Sequence, residues 1–242
     1  MSPLTVLVTG GSSASGVATA RALAAAGHKV FTVGSDSARI GAAAHDAGHG
    51  VTPLTCDLGS LAAVRELDAT LRGLGVERVD GLIHLVGGWR SATGIEDQGD
   101  DDWADLESSA ITTVRNVSRV FYRQLASSAT GRFAMVSSTT AAAPTAATAS
   151  YAAAKAAAEA WTLAVADGFA QDQQGDGTGP AGQRSAAVVF VVKSLVDAGM
   201  RRANPDREFP GYTDVEDLAA AVVGLFDQPA ESLNGQRILL AK

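Results

Sequence analysis

"VTGGSSASG", Val8 to Gly16, follows the apolar run Leu4 to Val8 and leads into an Ala-rich segment. A strand that ends in a Gly-rich turn and passes into a helix gathers free backbone N–H groups and the positive end of the helix dipole at one point. Such a point receives phosphate. Gly10, Gly11 and Gly16 are placed for a tight turn and a close helix–sheet approach. The strict G-x-G-x-x-G spacing is absent, and Ala14 stands inside the turn. On its own the stretch therefore fits either a dinucleotide loop or a Gly-rich turn without a ligand.

Working outward, apolar runs alternate with helical patterns along the whole chain. Strands are expected at Leu4–Thr9, Lys29–Val33, Val51–Thr55, Val79–Leu85, Arg132–Ser137, Ala186–Val192 and Gln236–Leu240. Helices are expected at Ser15–Ala26, Ser37–Ala47, Ser60–Leu74, Asp102–Leu125, Ser150–Phe169 and Asp214–Asp227. Strict β/α alternation predicts an α/β fold, a single doubly wound domain with a seven-stranded parallel sheet and helices on both faces. The strands read as continuous apolar runs, as sheets buried on both faces require. Two segments break the rhythm. "QDQQGDGTGPAGQR", residues 171–184, reads as a surface loop. "SLVDAGMRRANPDREFPGY", residues 194–212, lies beyond the sixth strand, where such folds place a substrate lid. Thr213 and Glu216 have capping-box spacing for the last long helix.

Composition narrows the function class. The 242 residues are 46% hydrophobic and 19% charged, a mixture that supports a packed core. A net charge of −7 without a basic stripe argues against nucleic acid as a partner. One cysteine, Cys56, excludes an internal disulfide and a multi-thiolate metal site, so no metal is expected. No apolar run is long enough to span a bilayer, and no signal-peptide pattern opens the chain. The expectation is a cytoplasmic protein with no membrane partner.

With these residues in view, the chain resembles the short-chain dehydrogenase/reductase family. "TGGSSASG" is similar to its T-G-x-x-x-G-x-G loop, with Ala14 for the middle Gly. "CDLG" resembles the D-[LV] pair after the third strand, and "HLVGG" stands at N-N-A-G with Gly87 identical. "SYAAAK" supplies Tyr151 and Lys155 as Y-x-x-x-K, with Ser138 at the family's distance before them. The resemblance spans the chain and implies a Rossmann domain that passes hydride between a nicotinamide nucleotide and a small carbonyl or alcohol substrate. It implies a nucleotide site made of Thr9, Gly10, Ser12, Ser13, Ser15 and Gly16 at the phosphates, Asp57 and Leu58 at adenine, and Gly87, Tyr151, Lys155 and the Val196 backbone toward the nicotinamide. It further implies a homotetramer or homodimer, packed through the fourth and fifth long helices.

Cofactor type turns on the end of the second strand, where a carboxylate would bond a ribose 2′-hydroxyl. Here Gly34 and Ser35 hold those positions, Asp36 comes late, and Arg39 stands near. NADP is favoured over NAD, with Asp36 the alternative ribose partner and a solvated helix charge the alternative role for Arg39.

The family's chemistry makes Tyr151 the proton donor, Lys155 the group that brings its pKa toward neutral, and Ser138 the donor that steadies the substrate oxygen. Four positions depart from the pattern. Alignment on Trp103 puts Ala110 where many relatives have a water-binding Asn, and Asn116 lies about 240° further round an ideal helix. Lys193 and Ser194 replace Pro-Gly, and Ala198 replaces a Thr. Lys193 reads either as a partner for a substrate carboxylate or cofactor phosphate, or as a lysine with a solvated head. His84 reads as a hydrogen-bonded core histidine or a cofactor neighbour, and Trp89 and Arg90 as an aromatic wall and anion contact or as plain loop positions. "LVGGW" and "NGQRILLAK" resemble the dihydropteridine-reductase branch, which would imply a pteridine-like substrate. The rival expectation is a nucleotide-binding protein whose catalysis has decayed, serving as a sensor or structural partner.

Overall fold

The structure, a computed structural model, describes residues 3–174 and 182–241. Its parallel sheet holds β1 (Thr5–Thr9), β2 (Lys29–Gly34), β3 (Val51–Thr55), β4 (Gly81–His84), β5 (Gly131–Ser138) and β6 (Ser185–Val192). A short ladder of β7 (Leu195–Val196) and β8 (Thr213–Asp214) intervenes before β9 (Arg237–Leu239) completes the seven. The order is β3-β2-β1-β4-β5-β6-β9. The chain leaves β1 toward β2 on one side and returns as β4 on the other, so a crevice opens at the carboxyl ends of β1 and β4.

Successive strand residues point to opposite faces, which divides the core in two. Leu7, Phe31, Leu82 and Phe133 face α3 (Leu61–Gly73) and the helices α5 (Thr113–Ser127) and α6 (Ala149–Gln173), against Val117, Phe121, Leu125 and Phe169. Val6, Val8, Val30 and Ile83 face α1 (Ala14–Ala25) and α8 (Val215–Gly224), against Leu23, Leu218 and Val222. Helix α2 (Ser37–Ala47) flanks β2, and the short helices α4 (Asp100–Leu106), α7 (Ala198–Ala203) and α9 (Ala230–Leu233) complete the described set. All eight residues of β6 are buried, whereas the edge strand β3 is half open and carries Pro53, whose missing N–H an edge tolerates.

Three expectations are corrected. The helix expected over Asp102–Leu125 is continuous from Asp100 to Ser127, but it is not uniformly α: a π-helical turn at Glu107–Thr112 lies between α4 and α5. At the π-helical turn the Thr113 hydroxyl donates to the Ser109 carbonyl at 2.6 Å, a side-chain bond that competes with the backbone ladder. The helix expected to stop at Phe169 runs to Gln173, which removes the first residues from the expected loop; positions 175–181 lie outside the described residues. The Gln173 amide holds that last turn: it donates to Ala126 O and Ser185 Oγ, both at 2.8 Å, and accepts from the N–H groups of Arg184 and Ser185. Finally, the cap of α8 is Asp214, whose side chain accepts from Glu216 N, and not Thr213. Thr213 is buried in the β7–β8 ladder and donates to Leu240 O, a commitment that a two-residue strand does not reveal in sequence.

Candidate active site

The turn after β1 is built by two glycines. Gly10 adopts φ +76°, and a Cβ there would lie 2.8 Å from the Leu85 carbonyl carbon. At Gly16 a Cβ would come within 2.7 Å of the Gly11 Cα and closer still to the Gly10 carbonyl. Ala14 is a different case. It is the first residue of α1, exposed, and no described non-Gly residue has positive φ, so its methyl meets no obstacle. Ser13 caps α1, accepting from Gly16 N at 3.0 Å and donating to Gly10 O at 2.8 Å. No acid lies in the first turn, and the N-terminus stays electropositive.

Two clefts meet over this turn. One, of about 480 Å³, is lined by Gly10, Ser12, Ser13, Gly34, Ser35, Arg39, Asp57, Leu58 and Gly87. Asp36 does not line it; its side chain accepts from Arg39 N at 2.8 Å and caps α2, which leaves Ser35 and Arg39 as the polar groups at the β2 end. Asp57 accepts from Gly59 N, and the buried Asn116 amide donates to Leu58 O at 3.0 Å and Gly59 O at 2.9 Å. Sequence reading weighed Asn116 only as a water holder and missed this bracing of the turn. Cys56 also lines the cleft, with its thiol pushed up to about 11, chiefly by burial and then by Asp57 and Glu66.

The second cleft, of about 740 Å³, is lined by Ser15, Gly87, Trp89, Ser137, Thr140, Tyr151, Lys155, Lys193, Ser194, Arg207 and Tyr212. Leu85, Val86 and Gly87 border both clefts, which makes one continuous bent site. Tyr151 and Lys155 stand one turn apart on α6. The Lys155 ammonium donates to Val136 O at 3.0 Å, and burial draws its pKa down to about 8 against the opposing Glu159 carboxylate. It also lies 3.1 Å from where a Cβ on Gly87 would sit, so Gly87 keeps it uncovered. Burial raises the Tyr151 pKa, and a hydrogen bond with Ser138 opposes the rise. The Lys155 ammonium sits 5.9 Å from the Tyr151 ring centroid, and desolvation is the largest influence on the phenol.

Other expected site residues lie beneath the surface. Thr9 is fully buried, with its hydroxyl 2.7 Å from His84 Nδ1, and Gly16 is packed under the turn. Ser138 is buried and also bonds Thr140, so that Ser137 and Thr140 form the cleft wall. Val196 is buried in β7, and Ser194 and Leu195 line the cleft in its place. Arg90 turns away to Asp102 and Asp105, each at 3.0 Å, while Trp89 does form a wall. His84 is the core histidine. Its Nε2–H points to Thr113, which passes its own proton to Ser109 O, so Nδ1 takes the Thr9 proton. Burial, aided by Lys155, holds this ring neutral with a pKa of about 3. Ala110 packs with Ala154 and Tyr151 inside the π-helical turn. Among the described residues no metal-binding cluster occurs, and no helix is long and apolar enough to cross a membrane.

Residues 4–173 match the short chain dehydrogenase family. The chain belongs to that family. It is an oxidoreductase with the α/β Rossmann architecture of its structural relatives. A provisional betaketoacyl-ACP reductase aligns over 98% of this chain and 96% of its own, at 25% identity and TM-score 0.81. NAD+-bound xylitol dehydrogenase aligns over 98% and 97% of the two chains, at 19% identity and TM-score 0.80. An NADPH-bound short chain oxidoreductase from Pseudomonas aeruginosa PAO1, with an atypical catalytic center, aligns over 98% and 95%, at 22% identity and TM-score 0.81. No curated protein sequence matches the chain.

The turn yields a paired prediction. Gly10→Ala is expected to cost about 3 kcal/mol or more, from left-handed strain and the blocked contact with Leu85. Ala14→Gly should cost under about 1 kcal/mol. Urea midpoints of the two variants check the contrast, and similar losses would refute the assignment of strain to Gly10 alone.

Proposed function

We propose that the protein is an NADP-preferring reductase of ketones or aldehydes. One observation carries the reading: the Tyr151 phenol and the Lys155 ammonium face the same cleft that continues to the open N-terminus of α1. The fit to a dinucleotide is physical. Gly10 lets the turn pack against the Leu85–Val86 peptide, Gly87 leaves the Lys155 ammonium uncovered, and Ser12 and Ser13 line the cleft at the N-terminus of α1. Asp57 and Leu58 would hold adenine, while Ser35 and Arg39, whose guanidinium now lies 3.8 Å from Asp36, would take a 2′-phosphate.

When bound, the nucleotide supplies the hydride. The chain's own residues manage the proton. Burial keeps the Tyr151 phenol protonated, which is the state that donates to a carbonyl oxygen gaining negative charge. Ser138 orients the phenol, and Thr140 offers a hydroxyl on the cleft wall. Lys155, fixed to Val136 O, holds positive charge beneath the site and points spare donors toward the nucleotide ribose. Residues 194–212 would close over the substrate. The exposed α6 face of Ala153, Ala156, Ala157 and Ala160 supports assembly into dimers or tetramers.

Tyr151→Phe is expected to cut kcat by about 10² to 10⁴ on a carbonyl panel, while nucleotide affinity stays within about twofold. Nucleotide binding without turnover by the parent protein would favour the decayed-enzyme reading. The kcat/KM for reduction should fall as pH rises through about 8, where Lys155 loses its charge; a profile flat beyond that value would remove Lys155 from the reaction. Arg39→Ala should weaken NADPH by about tenfold and leave NADH unchanged in fluorescence titrations. Equal losses would refute the 2′-phosphate contact.

A further inference from the structure

Lys193 stands at the carboxyl edge of a central strand, where the sequence leaves open an anion partner or a solvated head. In the structure it follows β6 and lines the Tyr151 cleft together with Arg207. Among the described residues, the charged groups of that lining are Lys155, Lys193 and Arg207, all cations, in a chain of net charge −7. Lys155 is buried and committed to Val136 O. The other two are exposed, and each has a single neutral hydrogen-bond partner: Lys193 Nζ donates to Pro210 O at 2.9 Å, and Arg207 Nη2 donates to the Tyr212 hydroxyl at 3.2 Å. Neither has a carboxylate partner among the described residues, although nearby Arg90 and Arg201 are paired with Asp102, Asp105 and Asp214. Both heads flank one ring, 5.9 Å from the Tyr212 centroid in each case. The Arg207 guanidinium also lies over the Phe209 ring at 5.1 Å, but an ammonium has three donors and a guanidinium five, so most of these donors have no hydrogen-bond partner among the described residues.

We propose that Lys193 and Arg207 form an anion subsite and that the carbonyl substrate carries a carboxylate, or an equivalent anionic oxygen group, at that end. The proposal rests on the reductase reading above and names the substrate class for it. Trp89, 63% exposed on the cleft wall, supplies an apolar surface for the body of the molecule between the two ends. The phosphates of the nucleotide are the other source of anionic oxygen. Position speaks against them: β6 lies three strand spacings from β1, about 14 Å, beyond the reach of a lysine toward the phosphate turn. The Lys193 head is held at Pro210 O, in the segment that follows β6.

The test separates substrate, nucleotide and activity. Binding of 3-phenylpropanoate and of 3-phenylpropanamide is followed by tryptophan fluorescence, with and without NADP+, for the parent protein, Lys193→Gln, Arg207→Gln and Lys193→Arg. The carboxylate is expected to bind about tenfold tighter than the amide. That preference should fade with added salt, collapse in either Gln variant and survive in Lys193→Arg, while NADP+ affinity stays within about twofold. In parallel, aromatic oxo acids should be reduced with higher kcat/KM than their methyl esters, and the acid-over-ester ratio should fall in the Gln variants. Equal binding of carboxylate and amide by the parent, or a preference untouched by both Gln variants, overturns the anion subsite whether or not turnover is seen. Loss of NADP+ affinity with the carboxylate preference intact assigns the cations to the nucleotide and also overturns it. Esters reduced as well as acids would sink the substrate class and leave the reductase reading standing. Carboxylate discrimination without reduction of any acid or ester would instead sink the reductase reading.

Discussion

Everything at the carboxyl edge of the sheet depends on the close approach of two backbones, the Gly10 turn after β1 and the Leu85–Val86 peptide after β4. Only a residue without a side chain allows them to lie this near, and the left-handed φ of Gly10 adds a second reason for glycine. The approach sets the floor of the site, because Leu85, Val86 and Gly87 border both clefts. Any widening there would separate the Gly10 turn from Tyr151 and Lys155. The buried chain Thr9–His84–Thr113–Ser109 stitches the same region from below, joining β1, β4, α5 and the π-helical turn through neutral hydrogen bonds. A neutral imidazole suits this place, since an imidazolium would stand near the buried Lys155 ammonium.

Lys155 is held by balance. Desolvation lowers its pKa, while Glu159, itself paired with Arg237 of β9 at 2.7 Å, works the other way. The seventh strand thus has an electrostatic line to the centre of the cleft through one carboxylate. Tyr151 is governed by desolvation alone on the unfavourable side, and Ser138 gives back part of it. The two groups of the Y-x-x-x-K pattern are therefore set by different surroundings although they share one helix face.

Much of this was legible in sequence, and the reasons are local. Central strands buried on both faces leave unbroken apolar runs, so the seven strands of the main sheet and their parallel pairing followed from the chain alone, whereas the two-residue strands β7 and β8 did not. The Gly10–Gly16 turn, Asp57 and Tyr151–Lys155 were found because each is carried by a short pattern. What escaped needed partners far along the chain. Asn116 braces Leu58 and Gly59 across 57 and 58 positions, and nothing near it marks that role. Thr9, Ser138 and Val196 belong to the right patterns but lie one layer below the cleft surface, a depth that spacing does not report. Arg90 was drawn off by Asp102 and Asp105, which sit on a helix whose π-helical continuation no periodicity announced.

The Gln173 amide has a consequence for how the chain can change. With four bonds it joins the end of α6 to the first residue of β6 and to the tail of α5. The start of β6 is thereby tied to the preceding helix by one side chain, in addition to the ladder that β6 forms with β5, and the covalent path between helix and strand is relieved of that duty. Closing a longer path costs little entropy once its ends are held. Length and composition between these two elements are thus free to drift in descent, while the carboxyl end of β6, with Lys193 beyond it, keeps its place.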